Sequence, residues 1–129
     1  MIAINSQEIA RYRSELADNP EALKALDEIE DCEGDVEDAA ISLAIQVGQE
    51  PNTSDNWLDG LAKRCRVAIC EQQFREDLLN GNLKAMVAYL VGTKLCPPVL
   101  ATPVVIYALK TGVDDFCHPL DYQLQSVDG

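Results

Sequence analysis

The residues with the clearest chemical potential form an acidic run, "DEIEDCEGDVED", at positions 27–38. Glu30 and Glu33 are three residues apart, as are Glu28 and Asp31, so each pair would share one face of a helix. Carboxylate pairs of this kind can bind Mg²⁺. Glu30 and Glu33 are therefore the candidate metal ligands. They support one functional hypothesis, a Mg²⁺-dependent hydrolase of small phosphorylated or nucleotide substrates.

The ExxE and ExxD spacings in this run resemble fragments of the motifs of all-α nucleotide pyrophosphatases. That family has a second carboxylate motif on a later helix, and this chain has no later ExxD. An EF-hand loop is not matched either, because Gly34 at the sixth loop position would make Ile29 the first ligand. We therefore favour a solvated acidic face around a helix end, with no metal and no cofactor.

Histidine and cysteine offer little further catalytic potential. His118 is the only histidine, so a histidine-based triad would have to use it. No CxxC pair, cysteine-enzyme signature or glycine-rich phosphate loop is present. The odd number of cysteines and the missing secretory leader favour reduced, buried thiols in the cytoplasm. We predict no catalytic residue, and favour a protein that is not an enzyme.

Composition and charge restrict the partners of the chain. Its 129 residues predict a single domain, 1–129, and include 22 acidic and 10 basic side chains, a net charge of −12. Residues 1–60 hold fifteen acidic and three basic residues, whereas residues 61–129 hold seven of each. Nucleic acids and anionic membrane surfaces are excluded as partners, because both require positive charge.

One basic cluster, "KRCR", contains Lys63, Arg64 and Arg66. Lys63 and Arg66 would share a helix face, where they could bind the acidic half of another copy or a small anion. Alternatively, the cluster neutralises the acidic helices of its own chain, through surface ion pairs that are individually weak. The second interpretation is favoured, and the first stays open.

The most apolar stretch, "KLCPPVLATPVVIYALKTG" at 94–112, has no charged residue from Leu95 to Leu109. It is too short and too rich in proline for a membrane span, which needs about 20 apolar residues. It either fills the core or forms a surface for a partner, with the proline pair holding two apolar side chains exposed. The candidate partner-binding residues are Pro97, Pro98, Val99, Leu100 and Tyr107, with Lys63 and Arg66.

Helix signals recur along the chain. Asn19 and Asp35 are typical helix N-caps, and Gly34 and Gly48 are typical of helix ends. Residues 36–47 are apolar nearly all round after the first turn, which predicts a central buried helix.

Two segments leave alternatives open. The longest periodic segment, about 55–79, has two apolar stripes and predicts either one long helix or a helix that bends near Cys70–Gln73. Residues 104–109 contain β-branched side chains that would also suit a strand. Thr102 and Pro103 are a good N-cap and first-turn pair, so we favour a helix there.

These patterns together predict an all-α fold, a compact irregular bundle of about six helices around 36–47. A loosely ordered C-terminal tail is expected from about residue 119. The favoured function is a non-enzymatic, cytoplasmic protein-interaction module. Its partner is another protein or a second copy, as in a homodimer or other homo-oligomer.

Overall fold

The computed structural model describes residues 2–51 and 57–128, and of 121–128 it describes the backbone alone. Within these ranges the chain forms nine α-helices and one 3₁₀ turn and no strand, so the predicted all-α class is confirmed. The elements are α1 Ser6–Glu15, α2 Pro20–Asp31, α3 Val36–Gln46, α4 Trp57–Arg64, α5 Arg66–Ile69, α6 Gln72–Leu79, α7 Lys84–Thr93, the 3₁₀ turn Pro98–Leu100, α8 Ala101–Thr111 and α9 Val113–Asp128.

Side-chain caps fix where the first three helices begin. Asn5 and Glu8 form a reciprocal capping box at the start of α1. Asn19 caps α2, accepting from the backbone N–H of Ala22 at 3.1 Å. Asp35 caps α3 in the same way. The N-caps predicted at Asn19 and Asp35 are confirmed.

The long periodic segment is three helices, α4, α5 and α6, rather than one. The chain breaks at Cys65 and again at Cys70–Glu71. The second break lies at the predicted bend, whereas the first was not predicted. The two apolar stripes explain both breaks, because α4 packs against α3 and α8 while α5 and α6 pack against α9.

The core is built around α8 as well as α3. Helix α3 buries one face, but Ile45 in its last turn is 61% exposed. Helix α8 contacts α2, α3, α4, α7 and α9, and its buried residues are Ala101, Thr102, Pro103, Val104, Val105, Ile106 and Ala108. Residues 104–109 are therefore helical. No helix in the described part of the chain is both long and apolar enough to cross a membrane.

Thr102 is not the N-cap that the sequence predicted. The 3₁₀ turn leads directly into α8, which already begins at Ala101. Thr102 consequently lies inside the helix, fully buried, and its Oγ1 has no hydrogen-bond partner among the described residues.

Replacing Thr102 with valine should raise the free energy of unfolding by about 1 kcal/mol. Valine keeps the shape of the side chain and removes a buried hydroxyl that gains no hydrogen bond from folding. Urea unfolding followed by circular dichroism measures the change, with Thr102→Ser as the matched variant that keeps the hydroxyl. A loss of stability in the valine variant would contradict this account.

A disulfide joins the junction of α5 and α6 to α9. Cys70 and Cys117 are bonded with their Cα atoms 5.7 Å apart, and Cys32, Cys65 and Cys96 are free. The expectation of reduced thiols is thus wrong for this pair, because the two helices bring together cysteines that are 47 residues apart in sequence. The cytoplasmic location stays a prediction.

The C-terminal region continues as helix. The backbone of α9 is helical to Asp128 and includes Pro119 within it. Side chains beyond Leu120 lie outside the described residues. The single domain and the loosely ordered tail from about 119 therefore stay predictions.

Candidate interaction cleft

The acidic run does not form the predicted carboxylate pair. Helix α2 ends at Asp31, and Glu33 lies beyond it in the left-handed region with φ 59°, so Glu30 and Glu33 do not share a helix face. Arg13 of α1 binds both Asp27 and Glu30, the latter at 3.0 Å between Nη2 and Oε2. Across the described residues, no group of three or more His, Cys, Asp or Glu side chains could hold a metal ion.

The other carboxylates of the run crowd together around Cys32. We call Asp31, Asp35 and Asp38 the acidic patch; in the described part of the chain none of the three has a cationic partner. The charge of Asp35 raises the pKa of Asp38. Burial, and then the neighbouring carboxylates of Glu28 and the patch, raise the pKa of the Cys32 thiol. The patch is thus a site of like-charge repulsion.

The predicted apolar surface is mostly interior. Val99 is 2% exposed and Leu100 is fully buried, so both side chains fill the core of the chain, as the alternative interpretation expected, and their partner-binding role stays a prediction. The 3₁₀ turn explains the difference, since it packs against α2, α3, α7 and α8. Pro97 is half-buried and Pro98 is exposed.

Tyr107 is held by its own chain. It is half-buried, and its hydroxyl donates to Asp59 Oδ1 at 2.6 Å. Burial and this hydrogen bond raise the pKa of Tyr107 to about 12. Burial alone would raise the pKa of Asp59, but hydrogen bonds from Lys63 and Tyr107 leave it lowered.

Two residues of the basic cluster contact other side chains of the same chain, and the third is exposed to solvent. Lys63 Nζ lies 2.7 Å from Asp59 Oδ2, one helical turn earlier. The Arg66 guanidinium lies over the ring of Phe116, 5.1 Å from its centroid. Lys63 thus pairs with a carboxylate of its own chain, as the favoured interpretation expected, whereas Arg66 contacts an aromatic ring, and the partner-binding role of both stays a prediction. Arg64, the third member, is exposed and borders a cleft.

This cleft, of about 410 Å³, opens between the end of α3, helix α4 and the connection from α7 to the 3₁₀ turn. Lys94 follows the last residue of α7 in the left-handed conformation with φ 61°, and Pro97 itself is extended, with ψ 140°. Leu95 between them is 49% exposed. The lining residues are Gln49, Leu61, Arg64, Lys94, Leu95, Cys96, Pro97 and Pro98.

Arg64 and Lys94 make the cleft cationic. Both are exposed, and neither takes part in an ion pair among residues 2–51 and 57–120. Two other grooves differ in this respect. A groove beside Pro20 holds Lys84 within 3.8 Å of Asp18, and a groove beside Gly112 holds Lys110 within 2.5 Å of Glu8. Of these three sites, the cleft is the one whose cations have no carboxylate partner among the described residues and can bind an external anion.

A pair of thiols adjoins the cleft. Cys96 lines it and is 4% exposed, while Cys65, at the break between α4 and α5, is fully buried. The neighbouring thiol lowers the pKa of Cys65 and raises that of Cys96. Sequence reasoning missed this pair because its members are 31 residues apart and match no motif.

Sequence reasoning also missed Lys94 and Leu95 as surface residues. The only local signal is a charged residue immediately before the apolar stretch. Their exposure depends on the left-handed end of α7, which no local pattern predicts.

Comparisons with known proteins identify no relative of this chain. No protein-family model matches it, and no curated protein and no solved structure is significantly similar to it.

Proposed function

We propose that this chain is a protein-interaction module, not an enzyme, whose cleft binds an acidic protein segment. The observation that carries the proposal is the pair of cations, Arg64 and Lys94, that border one cleft without a carboxylate partner among the described residues. The chain has 22 acidic and only 10 basic side chains, so carboxylates are plentiful within the molecule. Cations left together in such a protein suit an anionic ligand from outside.

The partner is, in this proposal, the acidic patch of a second copy. The patch lacks a cation of its own within the described residues, and repulsion from Asp35 already raises the pKa of Asp38. Positive charge from another molecule would relieve that repulsion. Leu95, 49% exposed at the cleft, adds apolar area that a contact between copies would bury.

A contact between cleft and patch joins two different surfaces of the same chain. Such a heterologous contact leaves one free cleft and one free patch on every pair. It therefore extends into larger assemblies, or closes into a ring, rather than stopping at a two-fold dimer. Of the oligomeric states expected from sequence, a homo-oligomer fits this geometry better than a homodimer.

Reversing both cleft charges, Arg64→Glu with Lys94→Glu, should abolish self-association. We expect light scattering at low salt to show concentration-dependent growth of the wild-type mass and a monomer for the variant. The dissociation constant should rise at least about tenfold, since like charges would then face each other. Raising the salt to 0.5 M should weaken the wild-type assembly as well, because the Debye length shortens to about 4–5 Å.

Two further variants distinguish an effect of the cleft on self-association from an effect of net charge. Lys24→Glu reverses an exposed cation on α2, away from the cleft, and should leave association unchanged. Asp31→Lys with Asp38→Lys should fail to self-associate but should bind the charge-reversed cleft variant in a mixture. A wild-type protein that stays monomeric at millimolar concentration and low salt would overturn the proposal. So would a charge-reversed cleft that associates normally.

A further inference from the structure

We propose that the groove beside Pro20 binds a small amphipathic cation, a primary alkylamine in its protonated form. The groove lies between the end of α1, the start of α2 and one face of α7, and its volume is about 380 Å³. Small-ligand pockets in proteins have volumes of about 300–1,000 Å³. The residues that line this groove and those that line the cleft do not overlap, so the site goes beyond the proposed protein contact and does not depend on it.

The groove has an apolar lining that suits an alkyl chain. Ala88 and Val91 are three residues apart and share one face of α7. Leu16, which is 2% exposed, and Pro20 also line the groove. A hydrocarbon chain in contact with these side chains would leave water, which is the driving force for binding an apolar group.

The polar side chains of the groove carry a net negative charge. Asp18 and Glu21 are carboxylates, and Lys84 is the one cation among the described residues that line the groove. Lys84 Nζ lies 3.8 Å from Asp18 Oδ2 and both side chains are exposed, so this ion pair is weak. Glu21 is exposed and forms no ion pair among residues 2–51 and 57–120. An ammonium group at the edge of the groove therefore has a carboxylate to bind.

An anionic head group would find few donors here, although α2 and α7 both begin at the groove. Helix N-termini attract anions through backbone N–H groups that have no partner within the helix. At the start of α2, Pro20 has no N–H, and Asn19 Oδ1 accepts from the N–H of Ala22 at 3.1 Å. At the start of α7, the Glu15 carboxylate accepts from two successive backbone N–H groups, the second at 3.0 Å. The groove thus favours a cation over an anion.

Titrating the full-length protein with octylammonium at neutral pH, followed by NMR of methyl and amide signals, tests the proposal. We expect saturable shifts centred on Leu16, Ala88 and Val91, with a dissociation constant of about 1 mM or lower. Octanoate, of similar length and opposite charge, should bind at least about tenfold more weakly. Ethylammonium, which keeps the charge but lacks the chain, should also bind at least about tenfold more weakly.

Two variants locate the two ends of the ligand. Ala88→Phe fills the groove from an exposed position on α7, and should abolish the shifts while the circular dichroism spectrum stays unchanged. Glu21→Gln should weaken octylammonium binding about three- to tenfold. Glu76→Gln is the matched control, because it removes an exposed carboxylate of α6 that does not line the groove, and it should have little effect.

Several results would overturn the proposal: equal binding of octanoate and octylammonium, shifts spread over the whole acidic surface, or wild-type binding by Ala88→Phe. An unchanged affinity in Glu21→Gln would overturn the role of that carboxylate. The charge-reversed cleft variant, Arg64→Glu with Lys94→Glu, should bind octylammonium like the wild type. The outcome of the self-association experiments and the outcome of this titration are therefore independent of each other.

Discussion

Replacing Gly34 with alanine should lower the free energy of unfolding by about 3–4 kcal/mol, a large share of the stability of a domain this size. Gly34 lies between α2 and α3 with φ 89°. A Cβ built there would lie 2.2 Å from the carbonyl oxygen of Ile4, which is backbone and cannot move aside cheaply. The variant would combine this clash with the strain of a side chain at positive φ.

The clash matters because Gly34 anchors the N-terminal segment. The backbone N–H of Ile4 donates to the Gly34 carbonyl at 3.0 Å, and that of Val36 donates to the Ile2 carbonyl at 3.0 Å. Ile4 is itself 4% exposed and belongs to the core. Moving this segment away to admit a methyl group would break both hydrogen bonds and expose Ile4.

Gly48→Ala is the matched control. Gly48 also has a positive φ, 80°, but a Cβ there would meet nothing within 4 Å. The free energy of unfolding of this variant should therefore fall by about 1 kcal/mol, which is the cost of the backbone strain alone. Chemical denaturation of both variants measures the difference. In a chain lacking residues 1–4 the two substitutions should have nearly equal effects. Equal effects in the full-length chain would contradict the proposed clash.

Gly34 also shows what local sequence could predict and what it could not. A glycine after α2 predicts a helix end, and the helix does end there. However, the left-handed residue that closes α2 is Glu33, while Gly34 donates its N–H to Ile29 at 2.8 Å in a Schellman arrangement. The contact with Ile4, 30 positions earlier, is the reason that glycine is needed. A one-dimensional pattern contains no information about that distance.

The core and the cleft show the same difference between features that local sequence predicts and features that depend on tertiary contacts. The helix class and the starts of α2 and α3 followed from capping residues and apolar periodicity, which are local properties. The burial of Val99 and Leu100 could not be derived locally, since the same apolar residues suit a core or an interface. Which cations stay unpaired depends on tertiary distances to carboxylates elsewhere in the chain, and among the described residues Arg64 and Lys94 have no such carboxylate partner.

Removing the disulfide in the double variant Cys70→Ala with Cys117→Ala should lower the free energy of unfolding by about 4 kcal/mol. The bond closes a loop across 47 residues, and opening it restores conformational entropy to the unfolded chain. For a chain of 129 residues the midpoint of thermal unfolding should fall by about 10–20 °C. Cys32→Ser, which breaks no cross-link, should change it far less.

The loss should be greatest in α9, because the disulfide attaches it at Cys117 and its other main contacts are with α5, α6 and α8. Helix α5 has only four residues, so its own packing contributes little to holding α9. Hydrogen exchange should therefore accelerate more in α9 than in α2 or α3. Reducing the wild-type protein should reproduce the variant, and the reductant should have no effect on the variant itself. A double variant that unfolds at the wild-type temperature would mean that packing alone holds α9 in place.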